Sequence, residues 1–306
     1  MRILRQDDLV NIARERPVVT FGVFDGVHAG HQAVLRRAVL EAETAGAPAV
    51  LVTFDRHPQE VLSGAAPPSI TSLQRRLELV ESAGVRYAWI ESFDRTLAET
   101  PAREFAERLF VRGLEARVVV MGETAVFGKG REGTVARLAE WGHDWGLRAI
   151  GVPQIVVDGQ TASSSAIRAL VTDGRLEKAS HLLGRPFEVQ GLVERGQELA
   201  RRLGFPTANL RLHHRLRPPK GVYFAVADWG EGERGAVVSI GHRLEPDSPD
   251  DLVEAHIPDF DGDLYGKTLT LRSFVFRRGI VSFPSVEALI AAICEDVAAG
   301  VRHFGG

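Results

Sequence analysis

The first half of the chain alternates short apolar runs with amphipathic stretches. The apolar runs, most of them rich in Val or Ile as buried parallel strands are, predict strands over Pro17–Phe24, Ala49–Phe54, Tyr87–Phe93, Ala116–Gly122 and Arg148–Val157. The stretches between and after them predict helices over His31–Ala45, Thr71–Ala83, a segment from Thr100 with Pro101 in the first helical position, Gly133–Trp145 and Ser164–Thr172. Thr71 and Gln74 have the spacing of a capping box. This alternation is typical of an α/β fold with a doubly wound parallel sheet.

The pattern changes near Gly184-Arg-Pro186, beyond which apolar residues recur at every second position, as in half-buried strands. The strands predicted there are Glu188–Val193, Gly221–Trp229, Gly235–Ile240, Asp251–Ile257 and Thr268–Arg277. They predict a small antiparallel β-barrel, followed by a helix over Ser285–Phe304. The apolar face predicted for that helix consists of Val286, Leu289, Ile290, Ile293, Val297 and Val301. We therefore expect two domains, residues 1–184 and 185–306.

Composition narrows the classes of protein that fit. The 306 residues carry a net charge of −3, which disfavours a broad nucleic-acid interface. No apolar run approaches the roughly 18 residues of a membrane span, and the start, MRILRQDDLV, lacks a signal-peptide core, so we expect a cytoplasmic protein without a membrane partner. The single cysteine, Cys294, excludes an internal disulfide and a cysteine-rich metal site.

Two histidines and a run of small residues follow the first predicted strand. Gly22, Phe24 and Asp25 lead to His28-Ala-Gly30-His31 at the start of a helix. In a doubly wound sheet this crevice binds nucleotides against free helix N–H groups. The spacing lets both imidazoles face one phosphate while the backbone at Gly30 approaches closely. A lone pair of histidines at this spacing is usually structural, but its position here favours phosphate binding.

A second candidate phosphate-binding element follows the last strand of the same half. Ser163, Ser164 and Ser165 open a predicted helix, and Arg168 comes one turn later. Hydroxyls and free N–H groups at a helix start, with an arginine nearby, suit a triphosphate. Taken alone, the segment could equally be a helix cap with a surface arginine. A different glycine pattern, Gly128-x-Gly130-x-x-Gly133, resembles a dinucleotide fingerprint but follows the fourth strand rather than the first, so NAD binding is disfavoured.

The second half contains one further cluster with chemical potential. Gly204 and Pro206 predict a turn, and Thr207 and Asn209 follow with oxygen-bearing side chains at i and i+2. Hydroxyl and amide oxygens suit Mg²⁺ beside a nucleotide phosphate. The alternative is a turn stabilised locally by Thr and Asn, and on these residues alone that alternative is favoured.

These motifs together resemble those of a known enzyme family. The segments Gly-Val-Phe-Asp-Gly-Val-His-Ala-Gly-His and Ser-Ser-Ser-Ala-Ile-Arg are similar to the HxGH nucleotidylyltransferase superfamily. With Thr53–Pro58 and Phe127–Gly133, they resemble the FMN adenylyltransferase half of bacterial bifunctional riboflavin kinase/FAD synthetases. Gly-Phe-Pro-Thr-Ala-Asn-Leu, Lys220–Tyr223, Val253–His256 and Asp259–Gly266 come in the order seen in the riboflavin kinase half. The resemblance covers residues 7–304.

The resemblance implies a fold, two reactions and roles for the candidate residues. The fold would be a Rossmann-like doubly wound sheet plus a small barrel with a terminal helix. The partners would be ATP, riboflavin, FMN or a related small acceptor, with Mg²⁺ as cofactor and the oligomeric state open. In the first half, His28, His31 and Arg168 would stabilise charge as the FMN phosphate attacks the α-phosphate of ATP. In the second, Thr207 and Asn209 would hold Mg-ATP, and Glu254 would be the catalytic base toward a ribityl hydroxyl.

Some positions on the flavin side depart from the family pattern. Thr124 and Ala125 stand where an amide or carboxylate and an aromatic residue are usual. The segments 198–201 and 241–246 replace glycine-containing loops. Two alternatives to the two-reaction enzyme stay open on these grounds. One is a diverged paralogue with a silent site or a different acceptor, and the other is a flavin- or nucleotide-binding regulator without catalysis.

Overall fold

The computed structural model of the protein describes residues 1–196, 203–242 and 251–305. These residues fall into two compact units. The first consists of residues 1–166 with 182–184, and the second of residues 167–181 with the described residues from 185 onward. The segments 198–201 and 243–246, where the sequence departs from the family pattern, lie outside the described residues.

The first unit is built on a six-stranded parallel sheet in the order β1-β4-β3-β2-β5-β6. The strands are β1 (Arg2–Ile3), β2 (Val18–Phe21), β3 (Ala49–Phe54), β4 (Tyr87–Glu91), β5 (Val118–Gly122) and β6 (Arg148–Val152), with a separate hairpin of β7 (Val156–Val157) and β8 (Gln160–Thr161). The helices are α1 (Gln6–Arg14), α2 (Ala29–Ala45), α3 (Pro58–Ser63), α4 (Leu73–Ser82), α5 (Arg95–Ala98), α6 (Ala102–Ala106) continued by a π-helical stretch (Glu107–Gly113), and α7 (Val135–Trp145). The next two helices are α8 (Ser164–Thr172), which crosses into the second unit, and α9 (Leu176–Leu183).

Apolar side chains cover both faces of this sheet, as the continuous apolar runs of its strands require. One face packs Val19, Phe21, Val50 and Val52 against a cluster of phenylalanines that includes Phe105. The other face packs Val18, Leu51 and Val120 against α2 and α4. The predicted doubly wound parallel sheet is confirmed.

The second unit contains a closed six-stranded antiparallel barrel in the order β10-β13-β12-β11-β14-β9. Its strands are β9 (Glu188–Glu194), β10 (Thr207–Leu212), β11 (Gly221–Asp228), β12 (Glu233–His242), β13 (Asp251–His256) and β14 (Thr268–Arg278), and the terminal helix is α10 (Val286–Phe304). Side chains pointing inward, such as Tyr223, Val238 and Ala255, are almost fully buried. The predicted small barrel with a terminal helix is confirmed.

Several local predictions differ from the structure. The N-cap of α4 is Ser72, whose hydroxyl accepts a hydrogen bond from the Arg75 N–H, and Thr71 instead contacts the loop after β2. Pro101 is the N-cap of α6 and not its first helical residue. The predicted apolar face of α10 holds in part, since Leu289, Ile290, Ile293 and Val297 are half-buried. Val286 and Val301 are about half exposed, whereas Asp296 and Gly300 are its buried residues.

Candidate active sites

The first candidate site lies on the loop between β2 and α2, and its backbone is unusual. Phe24 and Val27 have φ angles of +53° and +42°, a region that non-glycine residues enter at a cost. Gly26 also has a positive φ, +83°, which glycine adopts without a steric penalty. Such a conformation persists only where its surroundings hold it in place.

Asp25 provides that support from within the protein. Its side chain is 2% exposed and accepts hydrogen bonds from the backbone N–H groups of Ile70 (3.0 and 3.1 Å) and Thr71 (3.2 Å). The Thr71 hydroxyl in turn accepts a hydrogen bond from the Gly26 N–H at 3.1 Å. The predicted ligand-binding residue Asp25 therefore anchors the loop to the segment before α4.

His28 and His31 come together as predicted. Their rings stack with centroids 3.7 Å apart and an angle of 23° between the planes. His28 is the N-cap of α2, and its Nδ1 accepts a long hydrogen bond (3.4 Å) from the His31 N–H. Because Nδ1 accepts, the neutral ring carries its proton on Nε2, which makes Nε2–H a donor for an anion.

His31 is held neutral by its environment. Loss of hydration lowers the pKa of His31 well below 6.5, and the nearby His28 and Arg76 lower it further. Its Nδ1 is buried and has no hydrogen-bond partner among the described residues. A neutral imidazole with an unsatisfied ring nitrogen is suited to making a hydrogen bond to a ligand rather than to supplying a charge.

Gly30 and Phe24 shape the space around these two rings. A Cβ on Gly30 would lie 3.1 Å from His28 Cε1 and 3.4 Å from the Ala162 carbonyl oxygen, so a side chain there would push the His28 ring away by a few tenths of an ångström. Phe24 is 2% exposed and packs against His31 with ring centroids 4.9 Å apart. Phe24 therefore supports His31. Gly22 has a φ of +156°, and a Cβ at that position would lie 3.3 Å from the Phe24 ring.

The serine segment lies against the same loop. The Ser164 hydroxyl donates a hydrogen bond to the Asp25 carbonyl oxygen at 2.9 Å, and the Ser163 hydroxyl accepts one from the Ala166 N–H at 3.2 Å. Both hydroxyls are thus engaged at the start of α8, beside its free N–H groups, and Ser165 is exposed. Arg168 lies one turn beyond Ser164, in the part of α8 that belongs to the second unit.

The other predicted loops of the first unit are also structured. His57 is the N-cap of α3, and the Asp55 carboxylate accepts hydrogen bonds from the Ser92 hydroxyl and the Phe93 N–H. In the loop after β5, Thr124 is exposed and Ala125 packs against the phenylalanine core.

The Gly128–Gly133 segment differs from a dinucleotide fingerprint. It forms a short 3-10 turn over Lys129–Arg131 and a bridge between Phe127 and Gly133, whereas a fingerprint opens a helix directly.

The second candidate site lies on the outer face of the barrel, where β10 and β13 pair. The predicted turn at Thr207 and Asn209 is instead the start of β10, so the local-turn alternative was wrong. Residues two apart in a strand share a face, and Asn209 pairs directly with Glu254 across the two strands. The Thr207 side chain is hydrogen-bonded to Glu254. Thr207, Asn209 and Glu254 therefore form one polar cluster.

Glu254 has the properties of a proton acceptor. Burial raises the pKa of Glu254 above 4.5, and the hydrogen bond from Thr207 partly opposes this shift. Nearby, His256 Nδ1 donates a hydrogen bond to the Pro206 carbonyl oxygen at 2.8 Å, which fixes the turn before β10. Gly204 has a φ of +93° in that turn, the left-handed region that glycine adopts readily.

The oxygen atoms of this cluster fit a hard divalent cation. A hydroxyl, an amide carbonyl and one carboxylate are the ligand types that Mg²⁺ prefers when substrate phosphates supply the remaining ligands. Within the described ranges, no group of three or more His, Cys, Asp or Glu side chains could hold a metal by itself. The residues therefore fit a metal that arrives with a nucleotide better than a resident ion.

Two residues of the first site were missed from the sequence. Thr71 anchors the loop after β2, and Arg76 is 8% exposed on α4 near His31. Arg76 stands between Leu73, Leu77 and Val80 in the apolar periodicity of α4. A charged residue in an apolar stripe was the available signal.

Comparison with known families divides the chain in two. The FAD synthetase family matches residues 11–166, and the riboflavin kinase family matches residues 183–304. No helix in the described part of the chain is long and apolar enough to cross a membrane.

Full-length relatives match the whole chain. A bifunctional riboflavin kinase/FMN adenylyltransferase of Haemophilus influenzae is 33% identical, with 99% of each chain covered. A protein of the same name from Escherichia coli K12 is 34% identical, and the match covers 100% of this chain and 98% of the relative. Another from Pseudomonas fluorescens is 36% identical, and that match covers 92% of this chain and 91% of the relative. Among solved structures, a Streptococcus pneumoniae protein named a macrolide-efflux protein is 28% identical in sequence to this chain. The two structures align with a TM-score of 0.81 over 93% of each chain.

Proposed function

The chain belongs to the family of bifunctional riboflavin kinase/FMN adenylyltransferases, and from this premise we propose which of its residues carry each reaction. It is a transferase that phosphorylates riboflavin to FMN and adenylylates FMN to FAD. We propose that residues 1–184 form the adenylyltransferase domain and residues 185–306 the kinase domain. The observation that carries the assignment is the presence of two separate polar clusters, one around His28 and His31 and one around Glu254.

Adenylylation joins two phosphates, so its main requirement is to bind and orient anions. An oxygen of the FMN phosphate attacks the α-phosphorus of ATP, and the bond to the bridging oxygen breaks to release pyrophosphate. We assign His28 and His31 as donors to the phosphates, with the N–H groups of Ser163–Ser165 and the side chain of Arg168 adding further donors. Gly22, Phe24, Asp25 and Gly30 form the backbone and packing that hold the two imidazoles.

Phosphorylation of riboflavin requires a base. The ribityl hydroxyl oxygen attacks the γ-phosphorus of ATP, its proton passes to the Glu254 carboxylate, and ADP leaves. The raised pKa of Glu254 supports this role, because a base whose pKa is nearer to neutral accepts a proton more readily. Gly204 and Pro206 shape the turn from which β10 presents Thr207 and Asn209 toward the nucleotide.

Mg²⁺ is proposed as the cofactor of the kinase site. Thr207 and Asn209 would hold it, with Glu254 beside them. When bound with ATP, Mg²⁺ neutralises developing charge on the phosphate oxygens. The use of ATP in both reactions supports the cytoplasm as the place of action.

Two variants test the assignment of residues to reactions. Purified chain is incubated with Mg-ATP and either riboflavin or FMN, and the flavins are separated by chromatography. The native chain is expected to make FMN and FAD. His31→Ala is expected to accumulate FMN from riboflavin without FAD, because its kinase cluster is intact. Glu254→Gln is expected to make FAD from FMN but no FMN from riboflavin.

Each variant serves as the folding control of the other, since each keeps one reaction. Loss of both reactions from one substitution would contradict the separate assignment. A native chain that phosphorylates riboflavin but leaves FMN unchanged would indicate a different acceptor at the first site, where Thr124 and Ala125 depart from the family pattern.

A further inference from the structure

Arg76 is a buried arginine close to the adenylyltransferase site. It lies on α4, where Leu77 and Val80 are the other buried residues, and only 8% of it is exposed. An arginine guanidinium stays charged in proteins, and burying such a charge is unfavourable unless an anion accompanies it. Its neighbour Arg75 differs, because Arg75 makes an ion pair with Glu78 on the helix surface at 3.0 Å.

Two groups that interact electrostatically with Arg76 are Asp25, on the loop after β2, and His31, in the first turn of α2. Burial lowers the pKa of Arg76 and the nearby carboxylate of Asp25 raises it, while Arg76 itself lowers the pKa of His31. The Asp25 oxygens already accept hydrogen bonds from Ile70 and Thr71. Arg76 Nε is buried without a hydrogen-bond partner among the described residues.

The neutral state of His31 makes this positive charge important. Burial and its neighbours keep His31 uncharged, and two stacked imidazoles 3.7 Å apart disfavour protonation of both. The His28–His31 pair can therefore donate hydrogen bonds to a phosphate, but at most one of its two rings carries a positive charge. Arg76 is a permanent cation next to that pair.

We propose that Arg76 is a phosphate-binding residue of the adenylyltransferase site, with its guanidinium pairing with an anionic phosphate oxygen of the nucleotide held at His28 and His31. This inference rests on the proposed function of that site. The bound phosphate would supply an acceptor for the unpartnered Nε of Arg76, since the nearby Asp25 oxygens already accept hydrogen bonds from Ile70 and Thr71. Arg76 is thus added to the residues that the motifs indicate.

The test compares Arg76→Gln and Arg76→Lys with the matched control Arg75→Gln. Losing a hydrogen bond to a charged group predicts that Arg76→Gln raises the KM for ATP and the inhibition constant of pyrophosphate in FAD formation by about 10- to 100-fold. The KM for FMN is expected to stay within about twofold. Arg76→Lys keeps the positive charge but loses the planar guanidinium group. Its increases in the KM for ATP and in the inhibition constant of pyrophosphate should therefore be smaller. Arg75→Gln should match the native chain.

Riboflavin phosphorylation by the same preparations reports whether each variant is folded. A binding measurement separates this inference from the proposed function: inorganic pyrophosphate should raise the thermal unfolding midpoint of the native chain but not that of Arg76→Gln. That measurement needs no turnover, so it stands even if the native chain fails to make FAD.

Two results would overturn the proposal. One is an Arg76→Gln variant whose ATP KM and pyrophosphate inhibition stay within twofold of native. The other is an equal loss in the Gln and Lys variants, which would assign Arg76 a purely structural role. If Arg76→Gln also loses riboflavin phosphorylation, Arg76→Lys decides: retained pyrophosphate binding supports the proposal, and its loss refutes it.

Discussion

Glu254 illustrates how one residue can serve activity at the expense of stability. Its carboxylate lies partly buried on β13, hydrogen-bonded to Thr207 and paired across the strands with Asn209. Burial disfavours the charged form, yet in the role proposed for Glu254 the charged form is the one that accepts the proton of riboflavin. The same desolvation that destabilises the carboxylate therefore makes it a stronger base.

This conflict predicts the pH dependence of both activity and stability. Since burial raises the pKa of Glu254 above 4.5, riboflavin phosphorylation should fall on the acid side as pH drops through that raised value. For stability the sign is opposite. The contribution of Glu254 to the free energy of unfolding is fully present at pH values below its pKa in the unfolded chain. It is lost as pH rises through the raised pKa of the folded chain. Glu254→Gln, which stays uncharged, should therefore gain stability relative to the native chain as pH rises.

The measurement is the difference in thermal unfolding midpoint between Glu254→Gln and the native chain, taken from pH 4.5 to pH 8. Glu233→Gln is the matched control, because Glu233 lies on the surface of β12 in an ion pair with Arg272. A gap that stays constant with pH, or that narrows as pH rises, would contradict the burial of a charged Glu254.

At the scale of elements, the terminal helix α10 is held to the barrel by a buried carboxylate. Asp296 is 4% exposed and accepts three hydrogen bonds from Arg278 on β14, the shortest 2.7 Å from Nη2. Gly300 lets the same helix approach closely, since a Cβ there would lie 3.0 Å from Val237 Cγ2. The helix is thus positioned by polar and small residues as well as by its apolar side chains.

Removing one partner of the Arg278–Asp296 pair should therefore be costly. Arg278→Met removes three hydrogen bonds from the buried carboxylate and leaves it the longer ion pair with Arg277 Nε (3.5 Å), so we expect the second unit to lose about 3 kcal/mol of stability. The measurement is the urea concentration at which each activity is half lost. Riboflavin phosphorylation should fail at lower urea, while FAD formation from FMN keeps its midpoint.

Two further variants make this measurement specific. Arg272→Met removes only the surface pair with Glu233, so its effect should stay within about 1 kcal/mol. The double variant Arg278→Met with Asp296→Leu removes both charges and should recover part of the loss. An Arg278→Met chain as stable as the native one would show that the pair does not hold α10.

For the whole molecule, the assignment of one reaction to each unit has a consequence for flux. FMN is the product of one cluster and the substrate of the other, so two chains each defective in one reaction should complement each other. An equimolar mixture of His31→Ala and Glu254→Gln should make FAD from riboflavin, after a lag during which FMN accumulates. Neither variant alone should do so.

Chromatography of samples taken over time measures how much FMN and FAD the mixture has formed. FMN added at the start should abolish the lag. Failure of the mixture, with each single reaction intact, would mean that FMN made by one chain does not reach another. That result would contradict FMN as a freely released intermediate.

The fold class follows from the sequence alone, and the sequence also predicts most of the residues proposed for the two sites. Continuous apolar runs and period-two alternation depend on neighbouring positions in the chain, so they indicated the parallel sheet and the barrel. His28, Gly30 and His31 lie within four positions at the start of α2, and this short separation in the chain brings the two imidazoles together. The motifs also indicated ATP chemistry before any contact between strands was known.

Features that depend on partners distant in sequence become apparent only in the folded chain. Thr71 resembles a helix cap until Asp25 and Gly26 lie beside it, and Thr207 resembles a turn residue until β10 pairs with β13. Arg76 becomes a candidate ligand residue only when folding buries it near His31. Burial, charge neighbours and cross-strand pairing arise between segments that are far apart in the chain, and no local pattern specifies them.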